Sequence, residues 1–420
     1  MKRNEYITKY AVDHRWFLAL KEIRAPLLLR SYRLADDVVT NGLSDFLANP
    51  NRNPIPVYRY LDCDRIADAV KRLNLLRKQI VQEEADFAIR DIYTQKTEEM
   101  LLELSLQQAT CQEDWDEFNH INRLLFGDLE PEIVSDICIR LSSKYESFGK
   151  QKCKASSLTF LRQAITPNLQ EKVRASLITS LLEIDGDHLY EAEEICGMWS
   201  KKLPPQAMGW KVVLSDEVVG IKVSSRHRRV YIPRNFKAPG KKVARLFAHE
   251  VGVHVLRRVL GKERTLQLFA IGLPGYAACE EGLGILSEQL TFGKFRDFGG
   301  QDKYFTLMIA LGSLDGKPKD FKDTFSYIQT YFYERVRKKY AQEKAIQISN
   351  ERAWRMCWRV FRGGNPNMAG CCFLKDKMYR EGNVSIWKYL VKHGELPTNA
   401  FEGKFCIQNK EHHDLLVRYK

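Results

Sequence analysis

The sequence predicts an α+β fold that is predominantly α-helical, with a small antiparallel sheet ahead of one histidine-bearing helix. Three observations lead there. Apolar residues recur at helical spacing through residues 1–203; short runs rich in Val and Ile follow Pro204-Pro205; helical spacing returns from Gly240 onward. Apolar positions at i, i+3, i+4 and i+7 mark an amphipathic helix, whereas short β-branched runs bounded by turn residues mark strands.

In the N-terminal region, Asp62 or Asp64 can cap a helix that puts Ile66, Ala69, Val70, Leu73, Leu76 and Ile80 on one face. The Glu/Gln-rich stretch to Gln108 continues that character. Ala155–Leu182 and Tyr190–Lys202 read as further helices, interrupted near Pro167 and at Asp185-Gly186-Asp187. His14, His120 and His188 stand alone and read as surface or core histidines, so this region is expected to be a scaffold or the wall of a cleft. Gly209–Leu214, Val218–Val223 and Arg229–Ile232 are the expected strands. The next helix starts near Gly240 and ends at Gly261, read as a C′ glycine. A loop through Pro274-Gly275 leads to a helix from Ala277 to Leu290, then to helices near Asp302–Ser313, Phe321–Lys344 and Asn350–Phe361. Phe325, Tyr327, Tyr331, Phe332 and Tyr333 read as helix core rather than a substrate box. Residues 396–420 carry His412-His413 but nothing that reads as a site. The expected division is a helical N-terminal region, 1–203, a catalytic domain, 204–395, and a C-terminal extension, 396–420.

Composition narrows the function. With 420 residues, 44% hydrophobic and 28% charged, the chain can bury a large core and hold two or three domains. No run of about 18 apolar residues occurs, so no membrane span is expected. Met1-Lys2-Arg3-Asn4-Glu5-Tyr6 lacks the apolar core of a secretory signal. The ten cysteines are scattered, with only Cys371-Cys372 adjacent and no C-x-x-C pair. Reduced thiols and a cytoplasmic location are the simplest account. The net charge of +13 favours acidic partners. The basic residues are dispersed, however, and the densest group, Ser224-Ser225-Arg226-His227-Arg228-Arg229, reads as a basic edge or hairpin strand. A nucleic-acid role would rest on net charge alone, and oligomeric state is not legible.

The chemistry gathers in Leu246–Arg258, which sets His249, Glu250 and His254 in an apolar helical segment. Neutral imidazoles bind Zn²⁺ well, and a carboxylate can complete a three-ligand site with one position open to water. A glutamate beside the first histidine can take a proton from that water. The common zinc-peptidase pattern spaces its histidines four apart. Here they are five apart, roughly 140° around an ideal helix. Convergence on one ion needs a wider i→i+5 turn, as in a π-bulge, and Gly252 inside the interval can ease it. The spacing by itself leaves two readings: a modified zinc helix, or one core and one surface histidine on a buried helix.

H-E-x-x-x-H followed by Glu280-Glu281-Gly282-Leu283-Gly284 resembles the microtubule-associated tyrosine carboxypeptidase family, which includes bacterial members named for a Q-E-G-L-A motif and for modulating flavohaemoglobin expression. Val243–Ala248, Arg359–Gly364 and Phe373–Arg380 are similar too, as are, more weakly, Asn53–Tyr60 and Phe118–Gly127. The chain departs from the bacterial motif at Glu280, where that motif has Gln, and at Gly284, where it has Ala. The resemblance implies a zincin-like core of gluzincin type in which His249, His254 and Glu281 hold Zn²⁺ and Glu250 is the general base. It implies removal of a C-terminal residue, tyrosine or glutamate, from a peptide or protein tail, and the positive chain suits an acidic one. Glu280 lies about 100° from Glu281 on the helix and fits a solvated carboxylate or one that hydrogen-bonds a ligating imidazole.

A carboxypeptidase must hold a free α-carboxylate. Arg362 as a fork and Lys375 as a point charge are the candidates, with Tyr379 as donor to the developing oxyanion. The alternative is that these three make structural salt bridges and caps. In zinc peptidases a small sheet precedes the metal helix, and its edge strand can hold an extended substrate, which puts Arg229–Ile232 nearest the metal. Two rival functions stay open: a regulatory or binding protein with a relic site, which an intact Glu250 opposes, and a zinc endopeptidase, which a carboxylate anchor opposes.

Overall fold

A computed structural model describes residues 11–419 apart from 24, 36, 39–40, 146–155, 178–183, 219 and 292. The Met1–Tyr6 stretch, Ala155 and the expected end of the Ala155–Leu182 helix lie outside the described residues. The chain is mostly helical with two small sheets, one antiparallel and one mixed. None of its described helices is long and apolar enough to cross a membrane. It forms two compact units, each discontinuous in sequence. One is built from Met1–Leu18, Leu161–Gly299 and Met378–Lys420, the other from Ala19–Phe160 and Gly300–Lys377. The boundaries expected at 203/204 and 395/396 both fall inside the first unit.

In the second unit, Asp62 rather than Asp64 caps the helix Cys63–Glu83 by accepting from the Arg65 amide, satisfying one amide that the first helical turn leaves without a partner. Ile66, Ala69, Leu73, Leu76 and Ile80 are buried as the spacing predicts, and Val70 is half-buried. Asp86 caps a second helix, Phe87–Gln112, which packs on the first as a hairpin. A disulfide joins Cys63 to Cys111, closing that hairpin at its open end. The expectation that every cysteine is a reduced thiol is corrected here: 48 residues separate the two, and no local pattern marks the pairing. Cross-linking a loop of this size stabilises by about 2–4 kcal/mol. Cys111→Ser should therefore lower the free energy of unfolding by that amount in chemical denaturation. Peptide mapping without reductant that finds both thiols free would remove the prediction.

The expected helix Phe321–Lys344 is two helices, Phe321–Val336 and Gln342–Phe361, packed on each other across a turn at 337–341. Phe325, Tyr331 and Phe332 are buried core, as expected, whereas Tyr327 is exposed.

In the first unit, β1 (Leu189–Glu191) occupies the start of the expected helix Tyr190–Lys202. The helix proper, Ala192–Lys201, begins at a capping box between Glu191 and Glu194. The three expected strands form, as β2 (Lys211–Ser215), β3 (Lys222–Ser224) and β4 (Arg229–Pro233), and a fifth, β5 (Lys237–Pro239), pairs antiparallel with β1. The three-stranded sheet has the order β2-β4-β3 and is mixed, not antiparallel. The chain reverses twice between β2 and β4, so when β2 lies beside β4 rather than β3 the two run parallel. Val230 and Ile232 on β4 are fully buried, which suits the central position. The basic group Ser224–Arg229 is the β3–β4 hairpin, with Arg228 left-handed at φ 51°.

The chain leaves β5 directly into the helix Gly240–His249. A Cβ on Gly240 would stand 1.9 Å from the Asp185 carbonyl oxygen, so only glycine allows this approach. The helical rod then continues as a π-helical turn, Glu250–Val255, and an α-helical end, Leu256–Gly261. Gly261 is not left-handed, as a C′ glycine would be. It is required because a side chain there would run into the Phe269 backbone, at 2.5 Å from its oxygen. Beyond a loop comes the acidic helix Ala277–Thr291, which packs along Met378–His393.

Candidate metal centre

Five residues at 3.6 per turn would splay His249 and His254 to different faces. The chain resolves this by widening the turn to i→i+5 over Glu250–Val255, which returns His254 to the face of His249. Steric relief at Gly252 is not the reason. A Cβ there would meet only the Phe247 carbonyl oxygen, at 4.0 Å. The two rings end 4.9 Å apart between centroids, with Nε2 facing Nε2 at 3.1 Å. Glu281 brings an oxygen to 3.5 Å from the His249 Nε2. One donor atom from each of His249, His254 and Glu281 lies within 4.8 Å of the others.

Each imidazole is pinned from behind. His249 Nδ1 is 2.5 Å from Glu288 Oε1, and His254 Nδ1 is 2.7 Å from Glu280 Oε1. A carboxylate is acceptor-only, so both Nδ1 atoms carry the hydrogen and donate it. In neutral rings both Nε2 atoms then present lone pairs to each other at contact distance. That arrangement is unfavourable unless a positive charge sits between them.

The surrounding charge agrees. Burial disfavours a charged His249, but Glu281 and Glu288 outweigh it and push its pKa well up. Burial likewise pushes the Glu250 carboxyl up, and His254 and His249 pull it only part of the way back. Burial also opposes ionisation of Glu280, yet Lys404, His254 and Arg257 together hold its carboxyl well below the usual range. Glu280 is 3% exposed; Arg257 donates to it at 3.3 Å and Lys404 donates from the other side. Four carboxylates, Glu250, Glu280, Glu281 and Glu288, thus surround two imidazoles with two fixed cations, Arg257 and Lys404. Arg257 and Lys404 both pair with Glu280, so both fixed cations are taken up by that one carboxylate. A His₂Glu donor set in such an acidic surrounding fits a divalent ion such as Zn²⁺.

Of the residues singled out in the sequence, the structure brings His249, His254 and Glu281 together, and Glu250 follows His249 at the start of the π turn. Glu280 is the carboxylate that hydrogen-bonds an imidazole. Tyr379 is half-buried on Met378–His393. Arg362 and Lys375 belong to the second unit, where Arg362 donates to Asp376 at 3.0 Å and Lys375 lies 3.6 Å from Glu103. The strand packed on the π turn is the edge strand β3; β4, expected nearest the metal, is the middle of the sheet.

Glu288, Arg257 and Lys404 escaped the sequence, as did the steric role of Gly284. Glu288 lies seven residues after Glu281, two helical turns along the same face, and that spacing was a usable signal. Gly284 sits between them, and a Cβ there would stand 2.6 Å from His249 Nε2. An alanine at 284, as in the bacterial motif, requires a displaced ring. Lys404 comes from the segment read as holding no site. Its own amide and carbonyl are fixed to the Phe269 oxygen and the Leu273 amide, at 2.8 and 2.9 Å.

The family model described as microtubule-associated tyrosine carboxypeptidase matches residues 44–417. No curated protein and no solved structure matches the chain.

Proposed function

The chain belongs to the microtubule-associated tyrosine carboxypeptidase family, and from that premise we propose that it is a zinc-dependent carboxypeptidase that removes one residue at a time from the C-terminus of a peptide or protein. The carrying observation is the pair of imidazoles, each tied at Nδ1 to its own carboxylate and facing Nε2 to Nε2 at 3.1 Å beside Glu281. His249, His254 and Glu281 would hold the ion. Bound there, zinc supplies Lewis acidity that acidifies water and polarises a carbonyl.

The chain's own residues do the rest. Glu280 and Glu288 fix which imidazole nitrogen carries the hydrogen, and Arg257 and Lys404 keep Glu280 ionised for that task. Glu250 takes the proton of the attacking water on its carboxylate and passes it to the leaving amine nitrogen. The outer position of β3 in the sheet suits backbone pairing with an extended tail. The net charge of +13 suits an acidic one, with tyrosine or glutamate as the residue removed. Tyr379 is the proposed donor to the oxyanion; Arg362 and Lys375, the α-carboxylate anchors expected from sequence, lie in the second unit, where Arg362 donates to Asp376 and Lys375 sits beside Glu103.

The test pairs metal analysis of the purified protein and a His254→Ala variant with mass spectrometry of peptides bearing free or blocked C-termini. One zinc per chain, lost in the variant, together with single-residue trimming of free C-termini, is the expected result. Cleavage inside end-blocked peptides would make the protein an endopeptidase. Failure to take up zinc on loading would turn it into a binding protein with a relic site.

A further inference from the structure

In the second unit, three guanidinium groups crowd one aromatic ring. Arg30, Arg33 and Arg59 hold their guanidinium carbons 4.6, 5.8 and 5.4 Å from the centre of the Tyr60 ring. The ring attracts each of them, but they repel one another. Two are also cross-strand neighbours. Leu34 and Tyr58 form an antiparallel bridge. Beside it the Arg59 amide donates to the Arg33 carbonyl at 2.9 Å, and the Ala35 amide donates to the Val57 carbonyl at 2.7 Å. Arg33 therefore stands directly opposite Arg59, a placement of like charges that destabilises a strand pair. The inner side of the pair is packed: Leu34 is buried, and the Gly363 amide donates to the Tyr58 hydroxyl at 2.7 Å. Side chains alternate along a strand, so the outer side carries Arg33, Arg59 and Val57.

Exposed apolar residues accompany the arginines along the chain. Ile55 and Val57 are 62% and 51% exposed, and Leu27 and Leu29, just before Arg30, are 62% and 45% exposed. From Ile55 to Arg59 every second residue is exposed, which continues the outer side of the strand. Pro54 and Pro56 fix the backbone on either side of Ile55, so presenting that side chain costs little ordering. We propose that this face is a docking surface for a membrane rich in anionic phospholipids. The arginines take the lipid phosphates, and the aliphatic side chains enter the boundary between headgroups and acyl chains.

The two kinds of side chain select the occupant together. An arginine fork matches a phosphate through paired hydrogen bonds, and an anion between three guanidiniums relieves their repulsion. A soluble polyanion, such as an acidic tail or RNA, would satisfy the arginines but leave Ile55 and Val57 in water. An anionic bilayer surface takes both. Tyrosine is at home at the same depth, where its ring is apolar and its hydroxyl wet. The net charge of +13 draws the whole chain towards such a surface. Attachment of this kind is peripheral and reversible.

The experiment sediments the full chain with vesicles of phosphatidylcholine alone, or of equal parts phosphatidylcholine and phosphatidylserine. The protein should sediment with the mixed vesicles and stay in solution with the neutral ones. Arg33→Ala combined with Arg59→Ala should weaken that partition by about 5-fold for each arginine removed. Ile55→Ser combined with Val57→Ser should weaken it several-fold and leave the preference for phosphatidylserine intact. A thermal melt checks the fold of each variant, and the Ile55/Val57 pair carries the test if the arginine variant unfolds. Equal sedimentation with neutral vesicles, no sedimentation with either kind, or parental partition in both variants would overturn the proposal. Arginine-dependent binding of a polyglutamate peptide or of single-stranded RNA, with no binding to vesicles, would assign the face to a soluble polyanion and overturn it too. None of these measurements needs zinc or peptide hydrolysis, so they are read whether or not the protein is a carboxypeptidase.

Discussion

Replacing Glu250 with glutamine should abolish peptide hydrolysis and leave zinc bound if Glu250 is the proposed base. The substitution keeps the size of the side chain and removes only the capacity to take a proton. Glu250 is the first residue of the π turn and directly follows His249, but it is not one of the three residues whose donor atoms converge. Burial raises its carboxyl pKa, and the His254 and His249 imidazoles pull it part of the way back. Loss of a positioned general base costs roughly 10²- to 10⁴-fold in turnover. The measurement is kcat on the best trimmed peptide, with the zinc content of the same sample. Hydrolysis within a few-fold of the parent would remove Glu250 as the base. Loss of zinc together with activity would make Glu250 a ligand and displace Glu281 from that role. Glu281→Gln provides the contrast, since it should weaken zinc retention first and activity as a consequence.

What the sequence revealed at this centre, and what it hid, divides along physical lines. The widened turn was legible because a five-residue interval puts both imidazoles on one helix face only where the turn is i→i+5, and the chain adopts it between His249 and His254. The cap at Asp62 and the buried stripe of Cys63–Glu83 were legible for the same kind of reason, since both are fixed within one or two turns. Glu280 was legible as an imidazole's partner only because helical geometry turned it away from Glu281. Lys404 and Arg257 were not legible. A cation is buried when a specific anion waits for it, and that anion is 124 residues from Lys404 along the chain. The Cys63–Cys111 bridge and the parallel pairing of β2 with β4 are likewise facts about partners that no local pattern names. Conformational glycines fared little better. Gly252 invited a role at the bulge that its surroundings do not demand, while Gly240, Gly282 and Gly382, where other chain segments press close, look unremarkable in sequence.

Gly382→Ala should destabilise the protein by about 3 kcal/mol or more and weaken the metal centre with it. Gly382 lies where Met378–His393 crosses the acidic helix. A Cβ there would stand 1.9 Å from the Ala278 carbonyl oxygen and 3.2 Å from the Gly282 amide nitrogen. The partner glycine is equally confined, since a Cβ on Gly282 would stand 2.4 Å from the Gly382 oxygen. The obstructing atoms are backbone in both directions, so no rotamer change relieves the clash. The helices must separate, and overpacking of this kind costs typically 1–3 kcal/mol and sometimes more. The helix that would move carries Cys279, Glu280, Glu281 and Glu288. One added methyl, distant in sequence from every proposed ligand, should therefore lower the thermal midpoint by several degrees and speed zinc release to a chelator. Gly252→Ala is the control inside the metal helix, because space for its methyl exists, and it should keep both zinc and stability near those of the parent. A Gly382→Ala protein with parental unfolding temperature and full zinc retention would mean that the helix crossing is looser than the structure places it, and that the acidic helix is held in place by something other than this contact.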